Sequence, residues 1–131
     1  MKMNLGDNYT FAQGLAPVSM AAAATDSSAS IDHASGPCGA FILNTGAFSS
    51  GGRITMTLYY SDDDSTWTAD DGSSGNDYTT SLTDGSTNNY AVLDVPNPQG
   101  RYSKAYVVVA TDAVVNGVIN IVGPLKHVAA E

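Results

Sequence analysis

Between residues 53 and 61, Ile54, Met56, Leu58 and Tyr60 alternate with Thr55, Thr57 and Tyr59. This period of two predicts a half-buried β-strand. The strand runs into Ser61-Asp62-Asp63-Asp64-Ser65-Thr66-Trp67-Thr68, where short polar residues give a turn, so it forms one arm of an antiparallel hairpin. Similar short apolar runs separated by turn-formers predict further strands at Val18 to Ala24, Ser28 to His33, Cys38 to Asn44, Tyr78 to Leu82, Tyr90 to Val95, Tyr102 to Ala110 and Gly117 to Val122. Residues 105 to 110 are apolar on both faces, which places that strand centrally in its sheet.

The connections are equally patterned. Residues 46 to 52 read as a flexible hairpin loop, residues 96 to 100 as a stiff Pro-rich one, and Asn116-Gly117 as a tight turn between two valine-rich runs. The expected fold is an all-β antiparallel sandwich or jelly-roll-like domain of about eight strands over residues 18–131. Its core would include Ile42, Ile54, Met56, Leu58, Val107, Val109 and Ile119. Residues 1–17 mix Gly6, Gly14 and Pro17 with isolated apolar residues, a pattern that predicts an extended N-terminal arm.

Composition supports the strand reading. Of thirteen acidic residues only Glu131 is a glutamate, and Ser, Thr, Asp, Asn and Gly dominate, so few helix-forming residues are available. A length of 131 residues suits one domain with a proper core. The single cysteine, Cys38, excludes an intrachain disulfide and reads as a small packed residue. A formal net charge of −8 argues against nucleic acid as a partner, because phosphate binding needs clustered Lys and Arg. No apolar stretch reaches the ~20 residues of a membrane-spanning helix, and the first eight residues lack the apolar core of a signal peptide. The expectation is no membrane association and synthesis in a cytoplasm.

Candidate chemistry is sparse. Asp62, Asp63, Asp64, Asp70, Asp71 and Asp77 could supply hard oxygen ligands for calcium. The loop lacks the glycine and glutamate of an EF-hand, so a solvated hairpin tip without a tight metal site is expected. Asp32, His33 and Cys38 can be written as a nucleophilic set, but their spacing is no known signature. With two histidines and one cysteine, the chain is poorly equipped for zinc. No catalytic residue, cofactor or enzyme activity is expected. Trp67 and seven tyrosines invite a carbohydrate-binding reading, whereas the position of most of these tyrosines within strands favours cross-strand packing.

Several motifs recur in a telling order: Leu5-Gly6-Asp7-Asn8, then Gly14-Leu15-Ala16-Pro17, then Ser61-Asp62-Asp63-Asp64-Ser65-Thr66-Trp67 after a Thr-Met-Thr-Leu strand. Gly100-Arg101-Tyr102 leads into a valine-rich strand, and Gly123-Pro124-Leu125-Lys126-His127 follows near the end. In this order the chain resembles a family of small structural proteins of tailed bacteriophages, encoded among the head and neck genes. It departs from the pattern at Lys104 and Ala105, where a second arginine would be expected. The resemblance implies a non-enzymatic capsid cement or decoration protein on the virion surface. Its partner would be the major capsid protein, and the protein itself a homo-oligomer, with a trimer favoured. A tail, fibre or neck component and a carbohydrate-binding sandwich are the alternatives. Leu5, Tyr9, Phe11 and Leu15 are too apolar for a free tail, so the arm that carries them is expected to supply capsid or intersubunit contacts.

Overall fold

The computed structural model describes residues 8–21, 23–48, 52–83, 90–110 and 113–123. The strands are β1 (Thr10–Leu15), β2 (Val18–Met20), β3 (Thr25–Ser27), β4 (Ile31–Asp32), β5 (Cys38–Phe48), β6 (Arg53–Ser61), β7 (Thr68–Ala69), β8 (Thr79–Thr83), β9 (Tyr90–Val95), β10 (Tyr102–Val109) and β11 (Ala113–Gly123), with a 3-10 turn at His33–Ser35. The first sheet has the order β1-β11-β5-β9, with β2 also pairing β11. In the second sheet the order is β3-β10-β6-β7, with β4 on β10 and β8 on β6. Every pairing is antiparallel.

If β1 with β2 and β3 with β4 are each counted as one interrupted strand, and β7 as an appendage of β6, eight strand paths remain. They alternate between the sheets, except for the β6–β8 hairpin, and the first path lies beside the last. This is jelly-roll order, and the fold is an all-β sandwich.

The inner faces enclose Phe41, Leu43, Ile54, Met56, Leu58, Leu93, Val95, Val107, Val109, Val115 and Val118, all fully buried. β9 alternates exposed and buried at every step, and β6 buries Ile54, Met56 and Leu58, as their period predicts. β10 lies between β3 and β4 on one side and β6 on the other, the central place that its two apolar faces require.

Ile42 and Ile119, expected in the core, face outward instead. In β5 the inward residues are Phe41 and Leu43, and an apolar strand gives no sign in its own sequence of which face is inside. In β11 the cause is a bulge. Its register against β5 shifts between Val115 and Gly117, so Val115 and Val118 both point inward and Ile119 is left 46% exposed. Asn116-Gly117 is therefore no turn. Gly117 adopts φ +141°, and a Cβ there would meet the Leu15 carbonyl oxygen at 2.8 Å, so glycine lets the strand bulge and continue.

Other expected boundaries move. The Val18 to Ala24 run is a strand only to Met20, with Ala23 at φ +63°. Ser28 to His33 shortens to β4, where Asp32 caps the following 3-10 turn by accepting from the Ala34 amide at 2.9 Å. β5 extends to Phe48, into what reads as a loop. Thr10–Leu15, within the expected arm, forms β1 on the edge of the first sheet, paired with β11. The seam beside it is closed from the other sheet: Ala29 donates to the Gly14 carbonyl at 2.6 Å and accepts from Asn120 Nδ2 at 2.8 Å. A Cβ on Gly14 would collide with the Asn120 amide.

The register makes opposite predictions for two aliphatic side chains. Leu58→Ala should cost about 2–5 kcal/mol in urea unfolding, because it opens a cavity between the sheets. Ile119→Ala should cost less than about 1 kcal/mol, as a surface substitution does. Equal losses at the two positions would show that the bulge has been placed wrongly.

Candidate functional site

The outward turn of Ile42 and Ile119 builds a surface. Across the first sheet, Gln13, Ile119, Ile42 and Val92 lie side by side in one row, and Phe11, Ile121, Ala40 and Asp94 in the next. Tyr90 stands beyond them opposite Asn44, and Val114 lies at the far side of the bulge. Phe11 is 46% exposed, Tyr90 54% and Val92 40%, while Ala40, Ile42 and Ile121 are half-buried. Seven large hydrophobic side chains are exposed among the described residues: Phe11, Tyr78, Tyr90, Val92, Val108, Val114 and Ile119. Five of them belong to this face. Scattered apolar exposure is ordinary, but a contiguous patch spanning four strands marks an interaction surface. The only charged side chain in its two rows is Asp94, although the whole chain carries a formal charge of −8.

Of the residues expected as contacts, Leu5 lies outside the described residues. Phe11 stands at the edge of this face. Tyr9 is half-buried with its ring against Gly123, and Leu15 packs onto the core. Ile42, Val92, Ile119 and Ile121 were not legible as surface residues, because both faces of their strands are apolar.

The acidic residues have local partners. Asp63 Oδ1 accepts from the Thr66 and Ser65 amides at 2.8 and 2.9 Å and from Ser61 Oγ at 2.9 Å. These bonds, the Thr66 amide first, hold its carboxyl below the usual range. Asp71 is lowered likewise, chiefly by Ser73. Asp70 is buried; it accepts from the Gly72 amide at 2.7 Å and from Asn76 Nδ2 at 3.0 Å. Asn76 also exchanges hydrogen bonds with the Asn97 backbone at 2.8 and 2.9 Å, tying the acidic loop to the Pro-rich connection. Among the described residues no three His, Cys, Asp or Glu side chains converge as a metal site would require.

Asp32, His33 and Cys38 form no relay. Arg101 holds Asp32 in a two-pronged ion pair at 3.1 and 3.0 Å. Cys38 Sγ donates to the Gly123 carbonyl at 2.6 Å, and burial pushes its thiol up. His33 reaches Gly36 O through Nδ1 at 3.3 Å and Ser103 Oγ through Nε2 at 2.8 Å. A carbonyl can only accept, so Nδ1 carries the proton and Nε2 accepts from the serine hydroxyl. Ser103 is 1% exposed, so this bond joins β10 to the 3-10 turn within the interior. A cleft of about 120 Å³ opens nearby, between Thr10, Ser30, Asp32 and Asn120. It is too small for a typical ligand pocket and suits a few water molecules.

On the opposite sheet, Lys104 Nζ lies 4.3 Å from the Trp67 ring centroid and 4.7 Å from that of Tyr106. Tyr59 meets Tyr106 edge-on at 4.4 Å. Tyr59 and Tyr106 thus pack across strands, as their positions predict, with part of each ring at the surface, whereas Tyr90, expected to do the same, is exposed.

The chain matches no family model and no curated protein.

Burial lowers the His33 imidazole below its ordinary value, outweighing the opposing effects of the Gly36 bond and Asp32. The unfolded chain therefore takes up its proton first. The contribution of neutral His33 is complete above the ordinary value of ~6.5 and is lost as pH falls below it. Between pH 7.5 and 5 (about the range that brackets this titration), the wild-type urea midpoint should fall while that of His33→Asn stays flatter. Parallel pH profiles would contradict the buried neutral imidazole.

Proposed function

We propose that the protein is a non-enzymatic structural component of a tailed-phage head, a cement or decoration protein that docks on the major capsid protein through the outer face of its first sheet. The observation that carries this reading is the apolar, nearly charge-free surface formed by Phe11, Ile42, Tyr90, Val92, Ile119 and Ile121. Left in water, it is a liability; covered by a partner, it contributes ~25 cal/mol per Å² of apolar area removed. The motif order supports the phage assignment. The acidic loops at Asp62–Asp64 and Asp71 fit the solvent side of a densely displayed protein, where net charge deters unwanted association.

In this arrangement the protein bridges neighbouring capsid subunits as a small cyclic oligomer, a trimer by preference. Repetition over the shell lets modest individual contacts hold collectively. Assembly in many copies asks for a rigid β-sandwich with a docking face, and requires neither cofactor nor catalytic group.

The decisive test adds purified protein to particles stripped of it and measures bound copies. Ile119→Asp with Val92→Asp should lower apparent affinity by about tenfold or more, because each charge would be buried without a partner. Asp62→Asn with Asp64→Asn should bind like the wild type. Full occupancy by the Ile119/Val92 variant, with its fold intact by circular dichroism, would sink the docking face. Failure of the wild type to bind would sink the cement role.

A further inference from the structure

We infer that the outer face of the second sheet binds an acidic polysaccharide. Two cross-strand rows build the surface. In one, Ser27, Tyr106, Thr57 and Thr79 lie side by side; in the other, Thr25, Val108, Thr55 and Ser81. These rows hold six serine and threonine hydroxyls, the Tyr106 phenol and no carboxylate. Beside them, Lys104 pairs with Tyr59, and Trp67 and Tyr106 flank the Lys104 ammonium.

This combination has a specific chemistry. Aromatic groups offer apolar surface to the C–H faces of sugar rings, and rows of hydroxyls can both donate to and accept from sugar hydroxyls. A cation resting on aromatic rings, with no carboxylate paired to it among the described residues, is available to a ligand carboxylate. Charge complementarity selects an anionic occupant, because Lys104 and Arg53 both stand on this face of an otherwise acidic chain. An acidic peptide would find no backbone edge in the middle of the sheet for strand addition, whereas a polyhydroxylated chain finds partners along both rows.

The surface does not depend on the capsid reading, since its residues are on the sheet opposite the docking face. Both inner faces meet in one core, so the two outer faces point in opposite directions. Only the orientation rests on that reading: with the apolar face on a shell, the hydroxyl-bearing face looks outward, toward cell-surface glycans.

Trp67 is the sole tryptophan, so its emission reports on this surface in the isolated full-length chain, without any capsid. The chain should be titrated with an oligogalacturonate, with a neutral oligogalactoside and with oligoglutamate. The expected result is a saturable change with the oligogalacturonate that weakens with salt. Lys104→Gln should weaken it about tenfold, as loss of a charge-assisted hydrogen bond does, and Thr57→Val with Thr79→Val should weaken it independently. No saturable response to the oligogalacturonate overturns the inference. Equal binding of oligoglutamate would make the site a peptide or simple charge site, and unaltered binding by both variants would place it elsewhere; each result overturns the inference as well. Capsid attachment is untouched by any of these outcomes, so the two readings fail separately.

Discussion

The bulge at Val115 to Gly117 is the constraint on which the rest of the first sheet depends. β11 is paired along both edges, with β1 and β2 on one side and β5 on the other. In a regular strand, Val115 and Val118 would face opposite ways. One extra residue, accommodated by Gly117 at φ +141°, turns both into the core and sends Ile119 and Ile121 outward. Without that inversion Val118, Asn120 and Val122 would face outward, and Ile119 and Ile121 would leave the rows they share with Ile42, Ala40 and Phe11. One backbone irregularity therefore links core packing to the candidate docking surface.

A second constraint governs the loops. The chain uses aspartate where turns need acceptors, and Asp63, Asp70 and Asp71 each accept backbone amides close in sequence. Much of the acidity is thus a by-product of how a strand-rich chain makes its turns. The charge keeps the loops solvated, and the first sheet's outer face stays nearly free of it. Such a division between charged periphery and apolar face suits an assembling domain, and it gives the proposed head protein one apolar face for docking and loops that stay in water.

The sequence revealed strands more readily than faces. β6 was legible to the residue, because alternation of apolar and polar groups states both the strand and its buried side, whereas β9 was legible only in its bounds, since Val92 on its outer side is as apolar as the buried Leu93 and Val95. β5 and β11 were legible as strands, but Phe41-Ile42-Leu43 and Val118-Ile119 carry apolar groups on both sides. Only pairing and the bulge decide which side is inside. Asn116-Gly117 imitates a turn because the property that suits glycine to a tight turn, access to positive φ, also suits it to a bulge. The candidate face escaped sequence reading for the same reason. Its residues come from four strands that are distant in the chain, so no local motif contains it. The His33–Ser103 bond and the Asp70–Asn76–Asn97 network likewise join segments whose partnership no spacing announces.

The central claim is that the outer face of the first sheet is covered in the assembled particle while the opposite face stays open. Hydroxyl-radical footprinting of the free protein and of intact particles would test it side chain by side chain. Protection of Phe11, Tyr90, Val92 and Ile119 in particles, with Tyr59 and Trp67 labelled as in the free chain, is the predicted result. Unchanged labelling of Phe11, Tyr90, Val92 and Ile119, or protection confined to Tyr59 and Trp67, would contradict the account.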